Sequence, residues 1–236
     1  MIPSSFQDEL AKIAGAPGSV VAPPTTSFKD FKKKLRPGDI VLAKRVEPAI
    51  KSDIVNIFQR IRNKNSPLSD WTHAGLYIGD GKIRHSYTPY KGMSKAVGES
   101  GYQVRDQDMD FLREKRNAEF MAFRPKLPAK ERQQAVKRSE EYRGLAYATM
   151  DAIRAGVLPA KRKDEEKAPG KLICTAVPAF AYSDEELVPG KSRRHILPID
   201  FALSKKLKPV ATLEKEGSIP PSFFDELAEI SAAASR

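Results

Sequence analysis

The sequence contains one cysteine, three histidines and one tryptophan among 236 residues. A single cysteine excludes an intrachain disulfide and a zinc site built from several cysteines. No stretch stays apolar over the roughly 20 residues that a membrane-spanning helix needs. The N-terminus, MIPSSFQDELAKIAG, lacks the basic start and apolar run of a secretion signal. We therefore expect no signal peptide and no transmembrane segment, and a location in the cytoplasm or in a virion.

Positive charge is in excess, since the formal net charge is +11. Such a surface favours anionic partners, for example an anionic polymer or an anionic membrane surface. The same charge also fits a surface that is merely soluble. The basic residues are scattered, without interleaved aromatic residues or zinc-finger spacing, so no specific nucleic-acid partner is predicted. No cofactor-binding motif was identified.

The chain divides into a folded domain between two arms. Residues 1–27 predict an amphipathic helix followed by the linker GAPGSVVAPPTTS, which is rich in Gly, Pro and small residues. Residues 28–211 form the predicted domain, and residues 212–236 form a C-terminal arm. This arm repeats the first one, because IPSSFQDELAKIA (2–14) and IPPSFFDELAEIS (219–231) are identical at nine of thirteen positions.

The repeated segment predicts an amphipathic helix in each arm. Phe, Leu and Ile follow each other at helical spacing, and a serine precedes them as a helix cap. One interpretation is that the two helices pack on the domain. The other is a duplicated motif at 5–14 and 222–231 that docks into a groove of a partner protein.

The domain alternates strand and helix patterns. Its predicted segments are, in chain order, a short helix at 28–35, the strand IVLAKR, a helix at 49–63, the strands THAGLYIG and KIRHSY joined by a Gly-Asp-Gly turn, a strand and helical turn in GYQVRDQDMDFL, the strand AEFMAFRPK, a helix over 129–154, a charged loop at 159–171, a helix over 173–183, and the closing segments HILPIDFALS and 208–210.

Two of the three histidines lie in one hairpin. His73 and His85 are twelve residues apart, and the midpoint falls in the turn at 79–81. Across a tight turn such residues are near neighbours on adjacent strands. One imidazole can then act as a base while the second orients it.

The single cysteine can supply a nucleophile. Cys174 opens the run CTAVPAFAY, and a helix N-terminus or a nearby imidazolium lowers the pKa of a thiol. We therefore predict that Cys174, His73 and His85 meet in one site. Two alternatives stay open: each residue packs in an ordinary core, or the two histidines and the cysteine bind a metal.

These motifs resemble a known family, the circularly permuted NlpC/P60 papain-like superfamily. Its members include YiiX/YaeF-like bacterial amidases and the lecithin:retinol acyltransferase group. The resemblance covers about residues 35–200 and rests on PGDIVL, THAGLYIGDGKIRHS, a Gly-x-x-Tyr at 144–147, and ICTAVPAFAY. The nucleophile segment here reads Cys-Thr-Ala-Val, where the family often has Cys-Ser-Glu followed by Leu or Val.

The resemblance implies an α+β fold in which an antiparallel sheet packs on the nucleophile helix, with the helical arms outside it. It implies Cys174 as the nucleophile, His73 as the general base and His85 in the third polar position, without metal or cofactor. Tyr77, Trp71 and Tyr147 are candidates to line the cleft, and core packing is the alternative for each.

The predicted function is a cysteine hydrolase that cleaves an amide bond in a peptide or a cell-wall peptide through an acyl-enzyme. One alternative is a lipid acyl hydrolase or acyltransferase that uses the same residues. The other is a non-catalytic virion or scaffold protein whose terminal helices dock a partner.

Overall fold

A computed structural model describes residues 25, 27–45, 71–87, 103–116, 118–147 and 170–213. The predicted terminal helices, the predicted helix 49–63 and nearly all of the charged loop 159–171 lie outside the described residues. The described part is an α+β fold, as predicted.

Five helices, a 3-10 turn and eight strands make up this part. The helices are α1 (Phe28–Lys34), α2 (Met109–Arg116), α3 (Ala129–Arg138), α4 (Ala176–Ala181) and α5 (Pro198–Ala202), and the 3-10 turn is Ser139–Tyr142. The strands are β1 (Ile40–Arg45), β2 (His73–Gly79), β3 (Lys82–Tyr87), β4 (Gln103–Asp108), β5 (Ala118–Pro125), β6 (Ala146–Tyr147), β7 (Lys171–Leu172) and β8 (Leu207–Leu213).

The strands form one sheet in the order β7-β6-β4-β3-β2-β1-β5-β8. The six long strands pair antiparallel throughout, and only the two short strands β6 and β7 pair in parallel. Strands β2 and β3, which carry the two hairpin histidines, therefore lie in the middle of the sheet. His85 is buried there, whereas His73 is partly exposed.

The sheet is apolar on both faces. One face carries Ile40, Leu42 and Leu76 and packs in a cluster with residues of α4 and α5. The other face carries Val41 and Tyr77 and packs with residues of α1 and α2. Because successive side chains of a strand point to opposite faces, uninterrupted apolar runs such as IVLA suit a strand that is covered on both sides.

The hairpin between β2 and β3 turns where the Gly-Asp-Gly motif predicted. Asp80 and Gly81 have φ values of 51° and 72°. Positive φ at both central residues belongs to the two-residue turn that matches the twist of the flanking strands. The hydroxyl of Tyr77 accepts a hydrogen bond of 3.1 Å from the N–H of Gly81 and fastens the turn to β2.

Two predicted helices are shorter than expected. The helix predicted over 129–154 ends at Arg138 and a 3-10 turn follows it, while residues 148–154 lie outside the described residues. Ser139 contributes to the end of the helix, because its hydroxyl donates a 2.6 Å hydrogen bond to the carbonyl of Val136. Further along, Gly144 has a φ of 82° and turns the chain. The helix predicted over 173–183 is confined to α4, so Cys174 lies two residues ahead of it.

A buried corner connects α1, β1 and the helical layer. Asp39 is fully buried, and its carboxylate accepts two 2.8 Å hydrogen bonds from the guanidinium of Arg124. The adjacent carbonyl of Gly38 accepts a 2.6 Å hydrogen bond from the hydroxyl of Tyr182. A bidentate arginine partner satisfies a buried carboxylate, which would otherwise be very costly to bury.

Ionisation of the Tyr182 phenol is expected to lower the free energy of unfolding at alkaline pH. Burial raises the pKa of its phenol, the charge of Asp39 raises it further, and Arg132 partly offsets the shift. The neutral phenol therefore stabilises the fold below the ordinary tyrosine pKa of about 10, and this contribution is lost as the pH rises toward the higher folded value.

We predict that Tyr182→Phe lowers the free energy of unfolding by about 1 kcal/mol at pH 7, because one buried hydrogen bond is lost. Between pH 10 and pH 11 the wild type should then lose more stability than the variant, which has no phenol to ionise. Urea unfolding at the two pH values measures both effects. Equal losses in the two proteins would show that Tyr182 does not carry the alkaline sensitivity.

Candidate active site

The two hairpin histidines contact each other. Nε2 of His73 lies 2.6 Å from Nδ1 of His85, and the two rings meet edge to face with centroids 4.8 Å apart. His85 is buried, and His73 is partly exposed. Two neutral imidazoles can join in this way when one nitrogen carries the proton and the other accepts it. The sequence prediction that the pair meets therefore agrees with the geometry.

The histidines are diagonal neighbours rather than directly opposite ones. A register shift between Tyr77 and Gly79 moves the centre of the hairpin by half a residue, so that Leu76 faces Arg84. By this register Gly75, rather than His73, lies opposite His85. A side chain at Gly75 would place its Cβ 3.1 Å from the Cβ of His85, so glycine leaves room for the imidazole there.

The pairing of β2 with β3 ends before the histidines, at Leu76 and Arg84. Strand β2 continues to pair with β1 as far as His73. Strand β3 likewise continues to pair with β4 as far as Tyr87. At this end of the hairpin, the backbone of β2 is therefore not paired with β3.

The thiol of Cys174 lies beside this end of β2. The backbone N–H of Ala74, the residue after His73, is close enough to its sulfur to favour the thiolate, as are the N–H groups of Thr175 and of Cys174 itself. The sulfur is thus next to the first peptide group of β2. Three N–H donors around one sulfur form a setting in which negative charge can be stabilised.

Burial has the larger effect on this thiol. Cys174 is 7% exposed, and its burial raises the pKa of the thiol above the ordinary value, while the three N–H groups lower it only in part. The six-residue helix α4 begins after the cysteine and does not reverse the shift. The expectation that this thiol has a lowered pKa is therefore wrong: desolvation outweighs the local donors.

The chain around Cys174 is held on both sides. Before it, the hydroxyl of Ser86 donates a 2.7 Å hydrogen bond to the carbonyl of Leu172. After it, the hydroxyl of Thr175 donates a 2.6 Å hydrogen bond to the carbonyl of Ile196. Both hydroxyls are buried. Because buried hydrogen bonds are costly to break, these two contacts fix the segment that carries the thiol.

The other predicted site residues have different positions. Tyr77 packs in the core of the face away from α4, and its hydroxyl is used at the hairpin turn, so the structure does not bring it to the thiol. Trp71 is buried in the same cluster as Ile173 and Ala176, which flank the cysteine segment. Tyr147 pairs with Leu172 through its backbone, and its side chain lies outside what the structure describes.

Three residues near the site were not singled out from the sequence. Gly75 is the one with a local signal, since a glycine inside a strand indicates close approach of another group. Ser86 and Thr175 carried no such signal, because a serine or threonine beside an apolar segment is common. Their partners lie 86 and 21 residues away in the chain, respectively, and only the folded structure identifies them.

Among the described residues, no three His, Cys, Asp or Glu side chains are grouped in a way that could hold a metal ion. No helix within these residues has the length and apolar character required to cross a bilayer.

Comparison with known proteins gives one solved structure to report. The metalloprotein yiiX of Escherichia coli is similar to this chain with a TM-score of 0.49 and 12% sequence identity, over 77% of this chain and 99% of that one. No protein-family model and no curated protein matches the sequence.

Proposed function

We propose that this protein is a cysteine hydrolase that cleaves an amide bond, with Cys174 as the nucleophile, His73 as the general base and His85 as the residue that orients His73. The observation that carries the proposal is the placement of the sulfur at the N–H of Ala74, next to a histidine whose Nε2 is joined to a second histidine. A nucleophile, a base and an orienting group in this order are the parts that covalent acyl transfer requires.

The contact between the histidines determines which ring nitrogen of His73 would accept the proton of the thiol. His73 directs Nε2 to His85. Its Nδ1, which is nearer the main chain, is then the nitrogen that would face a sulfur beside the next peptide group. In this arrangement His85 holds the tautomer and the ring orientation of His73, as the third member of other catalytic triads does.

In the resting site the thiol would keep its proton, since burial raises the pKa of Cys174. As the sulfur attacks the substrate carbonyl, Nδ1 of His73 takes the thiol proton. The C–N bond then breaks, and the same proton passes to the departing amine, which leaves a thioester on Cys174. Water attacks the thioester, gives one proton to His73 and releases the acid, and the proton returns to the thiol.

The order of the residues along the chain supports the permuted form of this site. The strand with the histidines precedes the segment with the cysteine by about a hundred residues. This order is the one implied by the resemblance to permuted NlpC/P60 proteins. The proposed substrate class is accordingly a peptide or a cell-wall peptide. The terminal helices at 5–14 and 222–231 remain proposed docking segments for a protein partner.

The proposal is tested by hydrolysis assays with fluorescent casein, purified muropeptides and vesicles of phosphatidylcholine with phosphatidylglycerol. Wild type should release amines from one of the peptide substrates, and Cys174→Ala should abolish the release. Release of fatty acid from the vesicles that Cys174→Ala also abolishes would assign the same residues to lipid acyl hydrolysis instead. A release that persists in Cys174→Ala would reject the site.

A non-catalytic role is the second candidate, and one observation favours it. The thiol is 7% exposed and its pKa is raised by burial, as expected of an inert core cysteine. The contact between the two histidines is the observation against it, because a packing role does not require two joined imidazoles, one of them on the residue before Ala74. Absence of turnover on every substrate, together with a thiol that reacts only after unfolding, would establish this role.

A further inference from the structure

Ser86 occupies a special position between the two halves of the proposed site. It follows His85 directly on β3, and it is fully buried. Its hydroxyl donates a 2.7 Å hydrogen bond to the carbonyl of Leu172, two residues before Cys174. One strand therefore carries both the orienting histidine and an anchor for the nucleophile segment.

The alternation of side chains along β3 makes this possible. His85 points to the side of the sheet where Gly75 leaves room for its ring. Ser86 points to the other side, where α4 and the cysteine segment pack. A single dipeptide thus contacts the base of the proposed site through one residue and the nucleophile segment through the next.

The cysteine segment has further contacts, one of them to β2, where the N–H of Ala74 lies at the sulfur. Thr175 is held by Ile196 in the loop before α5, and Leu172 pairs with Tyr147 of the short strand β6. The bond from Ser86 is a side-chain hydrogen bond that ties the segment to β3. It acts beyond Arg84, the residue at which the pairing of β2 with β3 ends.

We propose that Ser86 is a positioning residue that sets the distance between the sulfur of Cys174 and the imidazole of His73. This inference rests on the proposed function. A misplacement of about 1 Å between reacting groups can cost about a hundredfold in rate, so one hydrogen bond at this point has a kinetic effect beyond its effect on stability.

The test measures the rate of alkylation of Cys174 by iodoacetamide against pH in the native protein, followed by intact mass. Ser86→Ala should slow the reaction at pH 7 by about tenfold. Ser139→Ala is the matched control, since Ser139 is also fully buried and its hydroxyl bonds Arg84 and Val136, not the cysteine segment. Urea unfolding of both variants gives the loss of stability caused by removing a buried hydroxyl.

A purely structural role predicts that the two serine variants lose similar stability and keep the wild-type pH profile, and this result would overturn the inference. A positioning role predicts a slower reaction in Ser86→Ala alone, restored in large part by Ser86→Thr, which keeps the hydroxyl. It also predicts coupling: in a His73→Gln background, Ser86→Ala should cause no further loss.

The same measurements separate this inference from the proposed function. If His73→Gln leaves the pH profile unchanged, the proposed base is wrong and the inference falls with it. If His73→Gln changes the profile but Ser86→Ala does not, the proposed function stands and only the role of Ser86 is rejected. If both variants slow the reaction but their effects add fully, Ser86 acts independently of His73 and the inference is again rejected.

Discussion

His73→Gln is expected to slow the alkylation of Cys174 by iodoacetamide about a hundredfold at pH 7, the lower end of the range for general-base catalysis. Glutamine keeps most of the bulk of the histidine and a polar end, but it cannot accept a proton. Burial raises the pKa of the Cys174 thiol. Without a base, the reaction must therefore wait for thiolate that forms only above the ordinary thiol pKa of about 8.5.

The full pH profile from 5 to 10 carries more information than one rate. In the wild type the reaction should already be fast below the ordinary thiol pKa, because His73 accepts the thiol proton. In His73→Gln this reaction should vanish, and a single rise at alkaline pH should remain. The chain has one cysteine, so every added mass reports the same sulfur.

His195→Ala is the control for the histidine substitution, because His195 is the remaining histidine of the chain and is not part of the contacting pair. It should leave the profile of the wild type unchanged. Equal rates at pH 7 in wild type and His73→Gln would contradict the assignment of His73 as the base. The contact between the histidines would then have a structural purpose only.

Gly38→Ala is expected to lower the free energy of unfolding by about 4 kcal/mol or to prevent folding. Gly38 has a φ of 92°, in the region that L residues other than glycine rarely adopt. A Cβ there would also lie 2.6 Å from the Cβ of Arg132 and 2.7 Å from the hydroxyl of Tyr182. The first of these atoms is attached directly to the backbone of α3, so it cannot move aside without the helix.

Gly190→Ala separates the two causes of this effect. Gly190 also has a positive φ, of 78°, but its Cβ would meet no atom within 4 Å. It should therefore cost only the backbone strain, about 1 kcal/mol. Urea unfolding measures both variants. A loss in Gly38→Ala no larger than that in Gly190→Ala would mean that the corner between β1 and α3 adapts to the added methyl group.

The hairpin illustrates what local sequence can predict. The turn at Asp80 and Gly81 and the proximity of His73 and His85 follow from residues within fifteen positions of one another, and turn chemistry is a local property. The diagonal rather than direct pairing was not predicted. It depends on the register shift after Tyr77, and the order of apolar residues in the hairpin sequence does not indicate this shift.

The helices show the opposite case. The pattern over 129–154 predicted one long helix, and the chain leaves the helix at Arg138. The hydroxyl of Ser139 bonds Val136 and Arg84, and the second of these partners is 55 residues away. Tertiary contacts of this kind outweigh helix propensities, which differ by less than about 1 kcal/mol for ordinary residues.

By itself, the sequence determined the α+β class, the hairpin, its turn and the short set of residues able to do covalent chemistry. Only the tertiary structure decided the environment of the thiol. The sulfur lies at the N–H of Ala74, beyond the point where the pairing of β2 with β3 ends, and its pKa rises because the surrounding segments bury it. The burial and the contact depend on residues about a hundred positions apart, and no local pattern encodes their meeting.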